Sequence, residues 1–152
     1  MSCIDSRTSA ELIFDQGLGD IFSIRIAGNI LNEDILGSME FATKIVGTKI
    51  ILVLGHTKCG AIVGACNHLE MGNITTLLNK VQPAIFSEKE TLENRTGSSE
   101  TFVANVTNIN VKLTIDRIRG ESPIIAELGQ TVQIKIVGGI YEVESGKVTY
   151  FN

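Results

Sequence analysis

Residues 47–60, GTKIILVLGHTKCG, decide the fold of this chain. The apolar run from Lys49 to Leu54 is too short for a buried helix and is bounded by glycines, which is typical of a parallel strand covered on both faces. The turn that follows carries His56 and Cys59. Because ligands of open α/β sheets gather just past the ends of such strands, this turn is a candidate functional site.

The residues before this strand predict a further strand and a helix. Apolar and polar residues alternate over residues 20–27, DIFSIRIA, which predicts a strand that ends at the Gly-Asn pair of 28–29. Asn32 is a suitable helix N-cap, and apolar residues then recur at helical spacing until Gly47.

The remaining sequence alternates predicted helices with predicted strands. The helices cover residues 61–71, 75–86, 102–119 and a short stretch after Ser122 and Pro123. The strands cover residues 131–137, 140–144 and 147–151, and the polar stretch 87–100 is an exposed loop. This pattern predicts an α/β fold, a single domain over 1–152 in which helices flank a mainly parallel sheet.

Composition excludes several classes of protein. The chain has 152 residues, 43% of them hydrophobic and 20% charged, which suits one domain with a buried core. A net charge of −4 argues against nucleic acid as a partner, and no apolar run is long enough to cross a membrane. Without a signal peptide in the sequence we expect a cytoplasmic protein, or a periplasmic one if an upstream signal is missing.

Two clusters of reactive side chains stand out. Cys3, Asp5 and Arg7 lie together at the start, and His56 and Cys59 follow the apolar strand. Two thiols, an imidazole and a carboxylate form the ligand set of a Cys₂His zinc site with an extra oxygen donor. Residues two apart in extended chain face the same way, and a helix N-terminus after Cys59 favours its thiolate.

Structural roles remain open for each of these residues on the residue pattern alone. Cys3 is also a common small buried residue, Asp5 and Arg7 also suit a structural ion pair, and His56 also suits a helix cap. We expect the other candidates to be structural: Cys66 in the core, His68 exposed near a helix end, Met39 and Phe41 in packing, and residues 88–93 in a solvated loop.

The chain resembles the β-class carbonic anhydrases over essentially its whole length. The motifs that carry the resemblance occur in order along the sequence: Cys3-x-Asp5-Ser6-Arg7, Gly19-Asp20-Ile21-Phe22, Arg25-x-Ala27-Gly28-Asn29, Met39-Glu40-Phe41-Ala42, Gly55-His56-x-x-Cys59-Gly60 and Gly138-Gly139-x-Tyr141. The match is specific because the motif that begins at Cys3 and the motif that contains His56 and Cys59 occur together at this separation.

The resemblance implies roles for particular residues. Zinc is held by Cys3, His56 and Cys59, and Asp5 and Arg7 form a catalytic dyad. Asp5 either pairs with Arg7, which leaves the zinc open to water, or becomes a fourth ligand and closes the site. The matching substrate-pocket residues are Phe22, Ala27 and Gly60.

The implied activity is the zinc-dependent reversible hydration of carbon dioxide to bicarbonate and a proton. Two alternatives stay open: hydrolysis of carbon disulfide or carbonyl sulfide by the same chemistry, and a carbonic-anhydrase-like protein that binds zinc without turnover. The implied partner is a second copy of the chain, in a homodimer or a dimer of dimers.

The sequence departs from the family pattern in three places. Ile26 replaces an asparagine, and Phe41 replaces a tyrosine. The family also places a parallel strand, preceded by a glutamine and a helical arm, directly before the first cysteine, whereas only Met1 and Ser2 precede Cys3 here. We therefore expect either a truncated chain or a fold in which sheet rearrangement or a partner segment closes the gap.

Overall fold

The computed structural model describes residues 1–151. The helices are α1 (Ala10–Ile13), α2 (Glu33–Glu40), α3 (Gly60–Cys66), α4 (Gly72–Asn79), α5 (Gln82–Ser87), α6 (Glu100–Glu121) and α7 (Pro123–Gln130). A 3₁₀ turn covers Ala27–Asn29, and a π-helical turn, Phe41–Ile45, extends α2. The strands are β1 (Ile50–His56), β2 (Lys135–Glu142) and β3 (Lys147–Phe151).

The three strands form one sheet in the order β1-β2-β3. β1 and β2 are parallel, and the register pairs Ile50 with Lys135 and His56 with Tyr141. β3 returns antiparallel to β2 through a turn in which Gly146 has a φ of 71°. The predicted α/β class and the apolar strand are therefore confirmed, and the strand carries His56 at its carboxyl end.

Local sequence explains where the long helices begin. The Asn32 side chain accepts a hydrogen bond from the Ile35 amide at 2.9 Å, as the cap prediction requires. Ser99 caps α6 in the same way, and Ser122, followed by a proline at the first helical position, caps α7. The helix α6 packs against both β1 and β2, with Val111, Ile115 and Ile118 buried in the core beside the sheet.

Two strands that were predicted separately form a single strand in the structure. Residues 131–137 and 140–144 contribute to one strand, β2, which runs straight through Gly138 and Gly139. A Cβ at Gly138 would lie 2.9 Å from Ile115 Cδ1 and closer still to the Phe151 ring. The glycine therefore allows a close approach of helix and strand rather than ending the strand.

Three further expectations differ from the structure. The helix predicted over 61–71 ends at Cys66, and the one predicted over 75–86 is divided into α4 and α5. Within the loop 87–100, Glu88 is not solvated but 1% exposed. Its carboxylate accepts hydrogen bonds from the Thr91 amide and the Asn105 side chain and pairs with Arg95, so that a buried charge anchors the loop.

The strand predicted over 20–27 is also wrong for most of its length. Only Arg25 forms a bridge, parallel to Ser2, and Ser2 bridges Leu54 of β1 on its other side. The Met1 nitrogen donates to the Leu52 carbonyl oxygen at 2.8 Å. Among the described residues, no strand pairs with residues 21–24, and an isolated extended segment without a ladder partner is not a stable strand.

An open slot lies between residues 21–24 and the start of β1. Its volume is about 710 Å³, and Met1 and Ser2 line it together with Phe22, Val46 and Ile50. Within residues 1–151 no strand pairs with β1 on the side away from β2, and Ser2 alone bridges both Leu54 and Arg25.

Candidate metal centre

The structure brings Cys3, His56 and Cys59 together from two distant parts of the chain. One donor atom from each residue lies within 4.8 Å of the others, and all three residues are buried. The two sulfur atoms are 3.8 Å apart, far beyond a disulfide bond. Two thiolates at a zinc–sulfur distance of about 2.3 Å and tetrahedral angles would also be separated by about 3.8 Å, so the donor set fits zinc.

The imidazole of His56 is prepared to bind a metal through one particular nitrogen. Nδ1 lies 2.9 Å from the Thr57 carbonyl oxygen, and because a carbonyl can only accept, Nδ1 carries the proton. In the neutral ring Nε2 then has a free lone pair, and this atom is buried without a hydrogen-bond partner. Metal-bound histidines typically donate the N–H of their other ring nitrogen to a backbone carbonyl or a carboxylate, which fixes the tautomer. His56 is therefore not a helix cap.

The two thiols share their ionisation. The hydrogen bond from Cys59, assisted by His56 and by the Gly28 amide, lowers the pKa of Cys3 below its usual range. The same hydrogen bond to Cys3, burial and the neighbouring negative charge raise the pKa of Cys59. Without a cation the pair therefore favours one thiolate, whereas a divalent cation would stabilise the charge on both.

Asp5 and Arg7 form a two-point ion pair beside the thiols. Arg7 Nε donates to Asp5 Oδ1 at 2.9 Å and Nη2 donates to Asp5 Oδ2 at 2.7 Å. The hydrogen bonds from Arg7 hold the pKa of the Asp5 carboxyl well below its usual range, so the carboxylate is ionised at neutral pH. Sequence reasoning predicted this pairing, and the structure contains it.

The two ligand-bearing segments are tied to each other and to the sheet. Arg7 Nη2 also donates to the Lys58 carbonyl oxygen at 3.2 Å, which joins the first segment to the turn that carries Cys59. On the far side of the turn, the Thr57 hydroxyl donates to Glu142 at 2.9 Å, at the end of β2. Cys59 is the N-cap of α3, as expected from its position before the helix.

The residues matched to the substrate pocket lie in different places. Gly60 begins α3 directly after Cys59, and Ala27 begins the 3₁₀ turn whose Gly28 amide donates to Cys3 Sγ at 3.4 Å. Phe22 is 51% exposed and lines the slot. Their contact with substrate stays a prediction.

Cys66 and His68 have the structural places that were expected. Cys66 is buried, and burial raises its pKa to about 11, so the thiol is protonated and inert. His68 is exposed just after α3, with a φ of 52°.

Sequence reasoning missed three residues that support the site: Thr8, Arg25 and Thr57. Thr8 and Arg25 bind main-chain carbonyls of the first segment, and Thr57 connects the second segment to the sheet. Arg25 belongs to one of the motifs that carry the family resemblance. Its contacts, however, depend on main-chain atoms 22 residues away, which no spacing rule indicates.

Comparison with known proteins agrees with this geometry. A family described as "Carbonic anhydrase" matches residues 1–148. The chain belongs to the β-class carbonic anhydrase family. This confirms the predicted family and with it the predicted enzyme class.

Two mycobacterial β-carbonic anhydrase relatives illustrate the extent of the match. The protein named "Carbonic anhydrase 2" from Mycobacterium tuberculosis is 35% identical over 150 residues, which cover 95% of this chain and 69% of that protein. The carbonic anhydrase of Mycolicibacterium smegmatis is 32% identical over 151 residues, covering 96% of this chain and 70% of the relative.

Solved β-carbonic anhydrase structures share the fold. A tetrameric enzyme from Sordaria macrospora has a TM-score of 0.88 at 22% identity, covering 99% of this chain and 78% of that one. The Coccomyxa enzyme in complex with acetazolamide has a TM-score of 0.86 at 23% identity, covering 97% and 68%. No helix among the described residues of the present β-carbonic anhydrase is long and apolar enough to cross a membrane.

Proposed function

We propose that the chain catalyses the reversible hydration of carbon dioxide to bicarbonate and a proton with a zinc ion held by Cys3, His56 and Cys59. The observation that carries the ligand assignment is the buried Nε2 of His56, which has no hydrogen-bond partner, in a ring that has a nitrogen within 4.8 Å of the sulfur atoms of Cys3 and Cys59. A buried polar atom without a partner is costly, and coordination would remove that cost.

A zinc ion bound here would supply a water acidic enough to ionise near neutral pH. The chain supplies three ligands and no fourth from the fixed geometry, because Asp5 is engaged by Arg7. Three protein ligands with one open position are typical of catalytic rather than structural zinc sites.

Asp5 and Arg7 would divide two tasks. Arg7 holds the carboxylate in its ionised state and in one orientation, through the two-point contact. The Asp5 carboxylate then accepts a hydrogen bond from the reacting water and orients it towards carbon dioxide. If Arg7 released it, Asp5 would instead be free to occupy the open ligand position, which is the closed state expected from the resemblance.

Two measurements on the purified chain test this function: zinc content and stopped-flow carbon dioxide hydration. One zinc per chain with hydration activity supports the proposal. Zinc without hydration would support a non-catalytic zinc protein. Turnover of carbon disulfide or carbonyl sulfide in place of carbon dioxide would assign the site to the alternative substrates.

We also propose that the chain forms at least a homodimer, with the zinc site near the interface. Exposed Phe22, Val46 and Ile50 line the slot, and exposed Phe41 lines a shallow cavity that shares Phe22 with it. An exposed apolar surface of this kind favours association. The predicted cytoplasmic location is supported by three free, buried cysteines, which suit a reducing compartment; cell fractionation would test it.

A further inference from the structure

Arg25 makes a set of contacts that the proposed chemistry does not use. Its Nε donates to the Cys3 carbonyl oxygen at 2.9 Å, and its Nη2 donates to the Asp5 carbonyl oxygen at 2.5 Å. Nη2 also lies 3.3 Å from the Thr8 hydroxyl. One guanidinium therefore binds the main chain of a zinc ligand and of the dyad carboxylate at once.

The side chain of Arg25 binds the turn formed by residues 3–8, but its backbone is fixed to the sheet. The Ser2 amide donates to the Ile24 carbonyl oxygen at 2.9 Å, and the Ile26 amide donates to the Ser2 carbonyl oxygen at 3.1 Å. Ser2 in turn bridges Leu54 of β1. The main chain of Arg25 is therefore held, through Ser2, by β1, the strand that carries His56.

The turn itself has few restraints of its own. Residues 3–8 contain no helix or strand, and Thr8 supplies the other donors to the same two carbonyl oxygens. The Thr8 hydroxyl has a single proton for two carbonyls, and the Thr8 amide also donates to the Asp5 carbonyl oxygen at 2.9 Å. These donors belong to the turn itself, whereas the guanidinium of Arg25 binds the same two carbonyls from outside it. The planar guanidinium offers several donors in a fixed geometry, which suits two acceptors at a defined spacing.

The orientation of the turn decides where two functional atoms lie. Cys3 Sγ must stay 3.8 Å from Cys59 Sγ, and the Asp5 carboxylate must stay on Arg7. The Arg7 amide, which also binds Asp5 Oδ1 at 3.0 Å, belongs to the same turn. A rotation of the carbonyl groups would therefore move the sulfur, the carboxylate and the amide together.

We propose that Arg25 is a positioning residue that holds the turn of residues 3–8 in its zinc-binding form through the carbonyls of Cys3 and Asp5. This inference rests on the proposed function for its catalytic consequence. Its structural part, the restraint of the turn by Arg25, does not depend on turnover.

The test compares Arg25→Gln and Arg25→Lys with the parent chain. Hydrogen exchange of the Arg7 and Thr8 amides is measured on metal-free protein, and loss of zinc to a chelator is measured on the zinc-loaded protein. We expect severalfold faster exchange for Arg25→Gln and a loss of metal affinity of roughly 10–100-fold, the range typical of outer-shell partners. Arg25→Lys keeps the charge but not the two-armed geometry, so its values should lie between the two.

A control separates positioning from a general loss of stability. Glu88→Gln removes a buried charge whose partners lie among residues 90–105, away from the turn. It should lower the thermal midpoint and leave exchange at Arg7 and Thr8 at the parent value.

The outcomes are distinct. If both Arg25 variants exchange and retain zinc as the parent does, or if Glu88→Gln changes the same amides equally, the positioning role is wrong. If Arg25→Gln does not fold, Arg25→Lys decides by the same readouts. If the parent binds zinc but does not hydrate carbon dioxide, the proposed function fails, while the exchange and chelator results still decide the role of Arg25.

Discussion

Both carboxylate oxygens of Asp5 accept hydrogen bonds from the guanidinium of Arg7, at 2.9 and 2.7 Å. The pair is partly exposed to solvent, so its contribution to the free energy of folding is small. The ion pair instead contributes to the geometry of the site, since two parallel contacts fix the plane of the carboxylate next to the three metal-binding atoms. Removing either partner should therefore affect function more than stability.

Arg7→Ala should lower activity and leave the zinc in place. Asp5 loses its partner and becomes free to take the open ligand position, which would displace water. We expect a decrease in kcat/KM of roughly 10–100-fold, as for other outer-shell partners, with about one zinc per chain by metal analysis. A variant that hydrates carbon dioxide as fast as the parent would contradict the role of the dyad.

Cys59→Ser should lose the metal, whereas Cys66→Ser should keep it. Both cysteines are 1% exposed, so the comparison holds burial constant and changes only the distance from His56 and Cys3. A serine hydroxyl is a poor replacement for a thiolate at a zinc site. Metal analysis after dialysis against zinc checks the pair of variants, and equal zinc content in both would refute the ligand assignment.

Much of this site was predictable, because the ligand types lie in short motifs at strand and helix ends. The residues that hold those motifs were not, since Arg25 and Thr8 act on carbonyl oxygens that become neighbours only after the chain folds. The strand predicted over 20–27 failed for a related reason. Its alternating pattern is correct for a strand, but a strand forms only where another strand pairs with it, and Ser2 supplies a single bridge.

Acid should destabilise the fold partly through Glu88. Burial opposes ionisation of this carboxyl, but hydrogen bonds from Thr91, Asn105 and Arg95 outweigh it and lower its pKa to about 2. A glutamate in an unfolded chain has a pKa of about 4.3. Because the folded pKa is the lower one, the stabilisation is complete above pH of about 4.3 and is lost as the pH falls towards 2.

Glu88→Gln should remove that part of the pH dependence. We expect a loss of roughly 1–3 kcal/mol in the free energy of unfolding at neutral pH, because hydrogen bonds to a charged group are replaced by neutral ones. The difference between variant and parent should shrink as both are titrated below pH of about 4. Chemical denaturation at a series of pH values measures it, and a difference independent of pH would show that the ionised form of Glu88 is not what stabilises the loop.

Association should depend on the apolar rim of the slot. Phe22 is 51% exposed and lines both the slot and the neighbouring shallow cavity, which also includes Phe41. Because the slot separates backbone groups that would otherwise pair, covering it with a second copy would remove both apolar surface and unpaired hydrogen-bonding groups from water. Light scattering at micromolar concentration should therefore give at least twice the chain mass of 16.4 kDa.

Phe22→Ser should shift that mass towards the monomer, because it removes apolar area from the centre of the proposed contact. Leu12→Ser is the matched control: Leu12 is 84% exposed and apolar but lines neither the slot nor the shallow cavity. Its variant should associate like the parent. A folded monomer for the parent chain, or equal dissociation by the two variants, would show that the rim of the slot is not where copies of this chain meet.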